Sequence, residues 1–527
     1  MNGLINIDAW VLVACVVIAL MISRLKGIAR LPLPPGPKPL PIMGNFFQLN
    51  ITRPWLTYTH WRKKYGDLIY FRLLGLDFIV VNSEKVARAL MDQRSAIYSD
   101  RPFIATNKLF GVDFSTVMLS YHGTDWKLHR KMFHHALRLE RAARYYHIHT
   151  ERVRALLKDL LDDPSHFEIH IQRYVASNVM AFTYGYNVAP RNDPMVANVK
   201  ELVDILAKAL SPERSAILSA FPILIRLPSW LPGPGSQRDA ARARDLAGQV
   251  LNVPFNLVKK NIDAGVATHS MVSDCLAQID EKDDQYKQET AIKEAAATAF
   301  IAGFESSTSM LHTFILAMIL YPEVQAKGQA EIDSVIGTTS RLPEFNDRPL
   351  LPYIDAILRE LLRWIPVVPL GIPHATSKDD VYDGRFIPKG DDKLIKYSEL
   401  TKIDTTGTLV INNVWAMSRD ESKHGADVEE FRPERHLTAE NNSNSQPISA
   451  DPIFGLGRRI CPGRFTAEAV IWIAIVNILA TFRIVKSKDI LGEEINVKKE
   501  FTAGIAIQPV HFSCTFVSRS EERASNL

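Results

Sequence analysis

The sequence of 527 residues has few cysteines and no strong excess of charge. Its four cysteines, Cys15, Cys275, Cys461 and Cys514, are far apart and form no C-x-x-C pair, which argues against a disulfide framework and a zinc site. A formal net charge of +4 with no basic stripe argues against nucleic-acid binding. The sequence shows no internal repeat and no G-x-G-x-x-G segment, so we expect no built-in flavin or nicotinamide domain.

One long hydrophobic run lies near the N-terminus. Residues 4–23 read LINIDAWVLVACVVIALMIS, with Asp8 as the only charge, which is close to the roughly 20 residues that a helix needs to cross a bilayer. Three basic residues follow by position 30, which places the downstream side in the cytoplasm. A cleaved signal peptide is the alternative, but the charges follow the run and no cleavage site is clear. We predict a transmembrane anchor over residues 1–23.

The next segment, residues 24–45, is basic and then rich in proline, which predicts a stiff, non-helical hinge. One large body over residues 46–527 follows it. A second apolar segment, Pro222–Gly235, is broken by prolines. It is either a buried loop between helices or a second membrane contact through Trp230 and Leu231.

Hydrophobic periodicity in the body predicts a mainly α fold with a small β lobe. Residues 66–82 alternate and are rich in β-branched and aromatic side chains, which predicts a hairpin turning at Gly75. Ser83 is a plausible cap for the helix that follows. The pattern is then mostly helical to about residue 365, and strand signals return after Pro366, in Phe482–Val485 and in Phe501–Phe516.

The most distinctive stretch is a glycine-rich loop around Cys461, which reads FGLGRRICPG from Phe454 to Gly463. Glycines let a backbone turn tightly around the sulfur, and a cysteine thiolate is a strong ligand for haem iron. The spacing F-x-x-G-x-R-x-C-x-G resembles the haem-ligand loop of the cytochrome P-450 family. A buried free cysteine in a glycine turn is the plainer alternative.

The resemblance extends from the N-terminal anchor to the last strands and implies the cytochrome P-450 fold over residues 46–527, with haem b as cofactor and Cys461 as its axial ligand. Phe454, Gly455 and Gly463 would shape the ligand loop. The residues expected to hold the haem propionates are Trp126 and Arg130 of a W-x-x-x-R pair, His374, and Arg459, whose guanidinium suits a carboxylate.

An apolar helical pattern from Thr290 to Leu320 contains the segment AGFESS at its centre. Glu305 and Ser306 are polar in a stretch that should be buried, and a buried carboxylate needs a reason. The segment resembles the family's acid-alcohol motif, which relays protons to bound oxygen, with serine in place of the usual threonine. A satisfied polar pair that bends a long helix is the structural alternative. We expect Glu305 and Ser306 to be catalytic.

Two further motifs resemble a charged triad that braces the cysteine loop in this family. Glu360 and Arg363 fit E-x-x-R on one helix face, and Arg435 ends the stretch FRPER, after which His436 replaces the usual aromatic residue. The resemblance implies a structural role for this triad.

The substrate pocket predicted from the resemblance is mostly apolar, which favours a hydrophobic small molecule such as a terpenoid or polyketide. Its expected lining residues are Val117, Leu119, Phe300, Ala302, Phe304, Val368, Leu370 and Thr502. Overall, the sequence resembles fungal members of the family that act in secondary metabolism.

Residues 391–407 interrupt a β unit that usually runs on without a break in this family. The 17 residues DDKLIKYSELTKIDTTG are polar and charged and lie between Gly390 and Thr408. We interpret them as an insertion or an unspliced intron, whose codons can supply a donor, a branch sequence and an acceptor. A genuine long surface loop is the alternative.

The expected activity is a monooxygenase at the endoplasmic reticulum membrane, single-pass, with its catalytic domain in the cytoplasm. It would insert one oxygen atom from O2 into a hydrophobic substrate. Electrons would come from NADPH through a separate cytochrome P-450 reductase. Two alternatives are a haem-thiolate isomerase or dehydratase that needs no reductase, and a haem-binding sensor without catalysis.

Overall fold

A computed structural model describes residues 31–102, 104–209, 217, 237–280, 282, 284–337, 341–390, 407–437 and 446–521. The predicted anchor over residues 1–23, the first part of the hinge and Pro222–Gly235 lie outside these ranges. Within them one helix, Arg464–Thr481, is long and apolar enough to cross a bilayer, and 78% of it is buried inside the protein. Its burial makes it a core helix here.

The fold is mainly helical with small sheets, as predicted. The helices, numbered along the chain, are α1 Pro54–Tyr65, α2 Glu84–Arg88, α3 Ser95–Tyr98, α4 Ala105–Leu109, α5 Thr124–Leu137, α6 Leu139–Ala142, α7 Tyr146–Asp162, α8 Phe167–Tyr184, α9 Pro194–Ala209, α10 Gln237–Asp263, α11 Met271–Leu276, α12 Gln285–Leu320, α13 Pro322–Ile336, α14 Pro352–Trp364, α15 Val414–Met417, α16 Glu421–His424 and α17 Arg464–Thr481. The strands are β1 Leu68–Leu73, β2 Leu76–Val81, β3 His374–Ala375, β4 Asp380–Tyr382, β5 Arg385–Ile387, β6 Leu409–Asn412, β7 Phe482–Lys486 and β8 Cys514–Ser518.

The 36-residue helix α12 runs through the centre of the body. It begins where the side chain of Asp284 accepts a hydrogen bond from the Lys287 N–H at 3.0 Å. Every residue from Ser307 to Ile319 is buried, because α12 packs against α5, α8, α10 and α17. A helix that is apolar on all sides needs neighbours on all sides, and this central position brings α12 beside α17, the helix that follows Cys461.

The predicted hairpin is present as β1 and β2, paired antiparallel from Leu68 opposite Val81. Leu74 and Gly75 turn the chain with φ of 50° and 87°, a left-handed pair that matches the twist of two-residue hairpins. β6 lies parallel to β2 and antiparallel to β3. The Ser83 hydroxyl accepts from the Val86 N–H and caps α2, as the sequence predicts.

The C-terminal strand prediction is correct in part. β7 and β8 pair from Phe482 opposite Ser518, but residues 501–513 form no strand apart from a bridge between Phe501 and Pro509. Gly504 causes the difference: its φ is 136°, and a Cβ there would lie 2.6 Å from the Ala207 carbonyl oxygen. The segment therefore turns tightly against the end of α9 and cannot extend.

The second half of the predicted hinge is part of the folded body. The carbonyl of Pro35 accepts from the Tyr70 N–H at 3.0 Å, and that of Pro32 accepts from the Phe386 N–H at 2.9 Å. A Cβ on Gly36 would lie 1.8 Å from the Tyr70 carbonyl oxygen. The folded body thus begins before residue 46, because the proline-rich segment docks in an extended conformation on β1 and β5.

The two ends of the suspected insertion meet. The Thr408 N–H donates to the Lys389 carbonyl at 2.7 Å, and a Cβ on Gly390 would lie 2.7 Å from the Thr408 nitrogen. Residues 391–406 lie outside the described ranges, and the described residues on either side of them are in contact. The retained intron stays a prediction.

Candidate functional site

The loop around Cys461 connects a turn at Gly457–Arg459 to the first residue of α17. The Cys461 N–H donates to the Phe454 carbonyl at 2.7 Å and closes the loop. Gly455 and Gly457 have φ of 80° and 61°, and a Cβ on Gly457 would lie 2.0 Å from the Met91 carbonyl oxygen. These two positions therefore require glycine.

Opposing effects act on the Cys461 thiol. Burial raises its pKa, while the N–H groups of Gly463 and Arg464 and the charges of Arg464 and Arg130 lower it. The same N–H groups would stabilise a thiolate and set its donor strength. Arg130 donates to the Ile460 carbonyl at 2.9 Å and Arg464 donates to the Cys461 carbonyl at 2.8 Å, so both guanidiniums are fixed beside the sulfur.

A cationic cluster lies beside this loop and contains the predicted propionate residues. Arg459 donates to the carbonyls of Ser99 at 2.8 Å and Leu119 at 2.7 Å, and its guanidinium lies 4.8 Å from the ring centre of Trp126. The Nδ1–H of His374 donates to the Tyr98 carbonyl at 2.7 Å. Burial and the charge of Arg101 lower the pKa of His374, so Nε2 of the neutral ring is an acceptor and would donate to a propionate only after the ring gained a proton.

Arg101 belongs to the same cluster and was missed from the sequence. Its side chain is buried and donates to the carbonyls of Val117 at 3.0 Å, Ile372 at 2.7 Å and Pro373 at 2.6 Å. The only feature of the sequence that could have drawn attention to Arg101 is its position directly before Pro102. Its partners are far apart along the chain, so only the fold shows where it lies.

The charges of this cluster fit the two propionate groups of haem. Burial first, and then the charge of Arg459, lowers the pKa of Arg101. Asp100 is the carboxylate that opposes both guanidiniums. Arg130 adds a third, half-buried guanidinium whose charge acts on Arg459, and surplus buried charge is costly unless an anion balances it. Two carboxylates bound here would supply that balance.

The acid-alcohol pair lies at the middle of α12. Ser306 donates its hydroxyl to the Ala302 carbonyl at 2.8 Å, and Ala302 is exposed although it lies halfway along a core helix. Positions i and i+4 share a helix face, so both residues border the same open space. Burial, reinforced by the charge of Asp204, raises the pKa of Glu305 to about 7.

Phe300, Phe304 and Gly303 on α12 pack inside the protein and do not face the open space beside Ala302. Phe300 and Phe304 are 0% and 3% exposed, and the Phe300 ring packs edge-on to Tyr184 of α8. Each is two positions from Ala302, which turns it about 200° around the helix and away from the open face. A Cβ on Gly303 would lie 3.2 Å from Val179, so this glycine permits helix packing. Both phenylalanines are buried here, and their place in the substrate pocket stays a prediction.

The other predicted lining residues lie on three segments. Val117, Leu119 and Val368 are half-buried. Thr502 bonds through its N–H and hydroxyl to Gln508, within a local turn. Leu370 lines a cleft of about 220 Å³, together with Trp55, Ala207, Pro369 and Gly504.

The predicted triad is assembled as expected. Glu360 is fully buried and accepts two hydrogen bonds from Arg363, at 2.8 and 2.7 Å, and one from Arg435 at 3.0 Å. Burial alone would raise the pKa of Glu360, but hydrogen bonds from Arg363 and His436 outweigh it and hold the pKa at about 2. The carboxylate is therefore ionised at every physiological pH.

The sequence matches the family model described as Cytochrome P450 over residues 34–402 and 403–515. It is 37% identical over 500 residues to cytochrome P450 monooxygenase 136 of Postia placenta, covering 94% of this chain and 90% of that protein. It is 35% identical over 518 residues to cytochrome P450 monooxygenase COX2 of Coprinopsis cinerea, covering 98% and 94%. It is also 35% identical to cytochrome P450 monooxygenase ple1 of Rhodocybe pseudopiperita, covering 93% and 90%. The chain therefore belongs to the cytochrome P450 family of haem monooxygenases.

Proposed function

We propose that this oxidoreductase inserts one oxygen atom from O2 into a hydrophobic small molecule of secondary metabolism, such as a terpenoid or polyketide. The observation that carries the proposal is the pair of Glu305 and Ser306 beside the exposed Ala302, on a helix that packs against the one following Cys461. A haem-thiolate isomerase or a sensor has no need of a carboxyl group whose pKa is about 7 at this place.

Haem held by the Cys461 sulfur supplies the oxygen chemistry, in which one atom of O2 enters the substrate and the other leaves as water. The N–H groups of Gly463 and Arg464 stabilise the negative sulfur. Arg101, Arg459, Arg130 and Trp126 would hold the propionates and fix the orientation of the ring, and His374 would join them once its imidazole is protonated. Phe454 and Gly455 keep the loop closed over the sulfur.

Glu305 and Ser306 move protons to the reacting oxygen. A carboxyl group with a pKa of about 7 both takes and gives a proton at neutral pH. The charge of Asp204 contributes to that pKa, and Asp204 forms an exposed ion pair with Lys200 at 3.2 Å. The half-buried Glu305 is therefore electrostatically linked to the surface of α9. The Ser306 hydroxyl, on the open face of α12, would pass the proton from Glu305 towards the oxygen.

Electrons come from NADPH through a separate reductase that docks near the cysteine loop. Lys127 and Lys131 on α5 and Arg458 in the loop are exposed. Exposed cations near the thiolate would attract and orient a partner with an acidic surface.

The catalytic body rests at the endoplasmic reticulum membrane on its cytoplasmic side, held by the N-terminal apolar segment. Support comes from side chains that stand in solvent just after that segment. Ile42 is 92% exposed, Phe47 is 71% and Leu40 is 48%. Large apolar side chains that are exposed together mark a contact surface. Because these side chains follow the proposed membrane anchor in the sequence, we assign this surface to contact with membrane lipid.

The test is product formation in microsomes that contain the full chain and a fungal reductase, supplied with NADPH and isotope-labelled O2. We expect the reductase-dependent product of an apolar substrate to gain one labelled oxygen atom. A product of unchanged mass that forms without reductase would indicate an isomerase and contradict the proposal. In the same assay Glu305→Gln should form much less product. Glu421→Gln, which changes an exposed acid, is its matched control and should form as much product as the unmodified chain.

A further inference from the structure

His436 occupies the position after Arg435 where an aromatic residue is expected from the family resemblance. It lies in the short turn Pro433–His436, which faces α14. Its Nε2 lies 2.9 Å from Oε2 of Glu360, and its side chain is 18% exposed. The imidazole thus reaches from near the surface to a carboxylate that is fully buried.

The five hydrogen bonds to Glu360 are divided unequally between its two oxygens. Oε1 accepts from Arg363, from the Arg432 N–H and from Arg435, at 2.7, 2.9 and 3.0 Å. Oε2 accepts only from Arg363 at 2.8 Å and from His436. An ionised carboxylate cannot donate, so Nε2 of His436 carries the hydrogen. Without it Oε2 would keep one donor in a buried environment, which is costly.

The same imidazole is electrostatically coupled to the loop that carries the sulfur. Asp451 is half-buried, and burial raises its pKa while the Ile453 N–H and the charges of Lys423 and His436 lower it. Its carboxylate accepts from that N–H at 3.0 Å and caps the turn Pro452–Phe454. The Phe454 carbonyl then accepts from the Cys461 N–H. The helix that carries Glu360, α14, also packs against α17, which begins three residues after Cys461.

We propose that His436 is a positioning residue for the thiolate loop, which it holds by donating from Nε2 to Glu360 on α14, the helix that packs against α17 after Cys461. The proposal rests on the proposed ligation of iron by Cys461. A phenylalanine side chain could fill the same space but could not donate this hydrogen bond. The donor, and not the volume of the ring, is what stabilises the loop here.

The test compares His436→Phe, which keeps an aromatic ring without a donor, with His436→Gln, which keeps an N–H donor. Both are made in the full haem-loaded protein, and the thiolate-type spectrum of the reduced CO complex is followed during mild warming. We expect His436→Phe to lose that spectrum about tenfold faster, as the loss of one hydrogen bond to a charged group implies. His436→Gln should stay close to the unmodified chain, and far-UV dichroism should show unchanged helix content in both.

Equal rates for His436→Phe and the unmodified chain would overturn the proposal, and so would equal acceleration in both variants, since that would assign the effect to packing. If His436→Phe fails to fold, His436→Asn replaces it, because its shorter amide cannot reach Glu360. Hydrogen exchange of residues 452–461 should then rise in His436→Asn and not in His436→Gln. A thiolate spectrum in the unmodified chain would uphold the haem ligation whatever the variants show.

Discussion

Glu305 and Glu360 are both carboxyl groups on helices of one core, yet their pKa values lie on opposite sides of the ordinary value. Glu360 is held at a pKa of about 2 because five donors surround it. The pKa of Glu305 is raised to about 7 by burial and by the like charge of Asp204. A buried acid with donors on both oxygens is a structural anion, whereas one pushed towards neutrality can exchange protons.

The largest expected effect is that of Glu360→Gln. Two guanidiniums, Arg363 and Arg435, would lose the anion between them, and breaking such a buried pair costs about 3–5 kcal/mol of unfolding free energy. Because the folded-state pKa of Glu360 lies below 4.5, the loss should be complete above about pH 4.5 and vanish as pH falls towards 2. Denaturant unfolding across this pH range measures it. An equal loss in Glu421→Gln would contradict the account.

Glu305→Gln should lower turnover and, at high pH, raise the free energy of unfolding. Turnover should fall by about 100-fold, because the amide cannot transfer a proton. Stability should rise at high pH: the folded-state pKa of Glu305 is raised, so its contribution is most favourable below about pH 4.5 and declines by about 3 kcal/mol as pH rises past 7. Product formation and denaturant unfolding at pH 5 and pH 8 check both. A variant that loses stability at pH 8 would show that Glu305 is a structural anion like Glu360.

Asp204→Asn should shift the pH profile of turnover without abolishing it. Removing the like charge lowers the pKa of Glu305, so the inflection near neutral pH should move to lower pH, by less than about one unit for a half-exposed neighbour. Product formation measured from pH 5 to pH 9 gives the inflection. Asp263→Asn, an exposed residue at the end of α10, is the control. An unchanged inflection would remove Asp204 from the description of the site.

The smallest expected effect is that of Ser306→Thr, which restores the residue usual in the family. The added methyl group restricts χ1 and should fix the hydroxyl that now donates to Ala302. We expect about a twofold increase in product formed per NADPH consumed, with no change in unfolding free energy beyond about 0.5 kcal/mol. A fall in the product formed per NADPH consumed would mean that the pocket has no room for the added methyl group.

Features set by local spacing could be predicted from the sequence. The hairpin at Gly75, the cap at Ser83, the cysteine loop and the pairing of Glu360 with Arg363 all depend on residues a few positions apart. The burial of Phe300 and Phe304 has an equally local cause, since residues two positions from Ala302 point away from its face.

Features that depend on distant segments could not be predicted. Arg101 contacts Val117 and Pro373, and His436 contacts Glu360, which precedes it by 76 residues. The turn at Gly504 is set by its contact with Ala207 on α9, so the apolar sequence around it was mistaken for a strand. In each case the fold decides which partner a polar or flexible residue meets.

The measurement that tests the central claim most directly is the absorption spectrum of the reduced CO complex in Cys461→Ala, with Cys514→Ala as a matched change at a buried free cysteine. The account predicts a thiolate-type spectrum in the unmodified chain and in Cys514→Ala, and its complete loss in Cys461→Ala. Persistence of that spectrum in Cys461→Ala would contradict the assignment of the haem ligand.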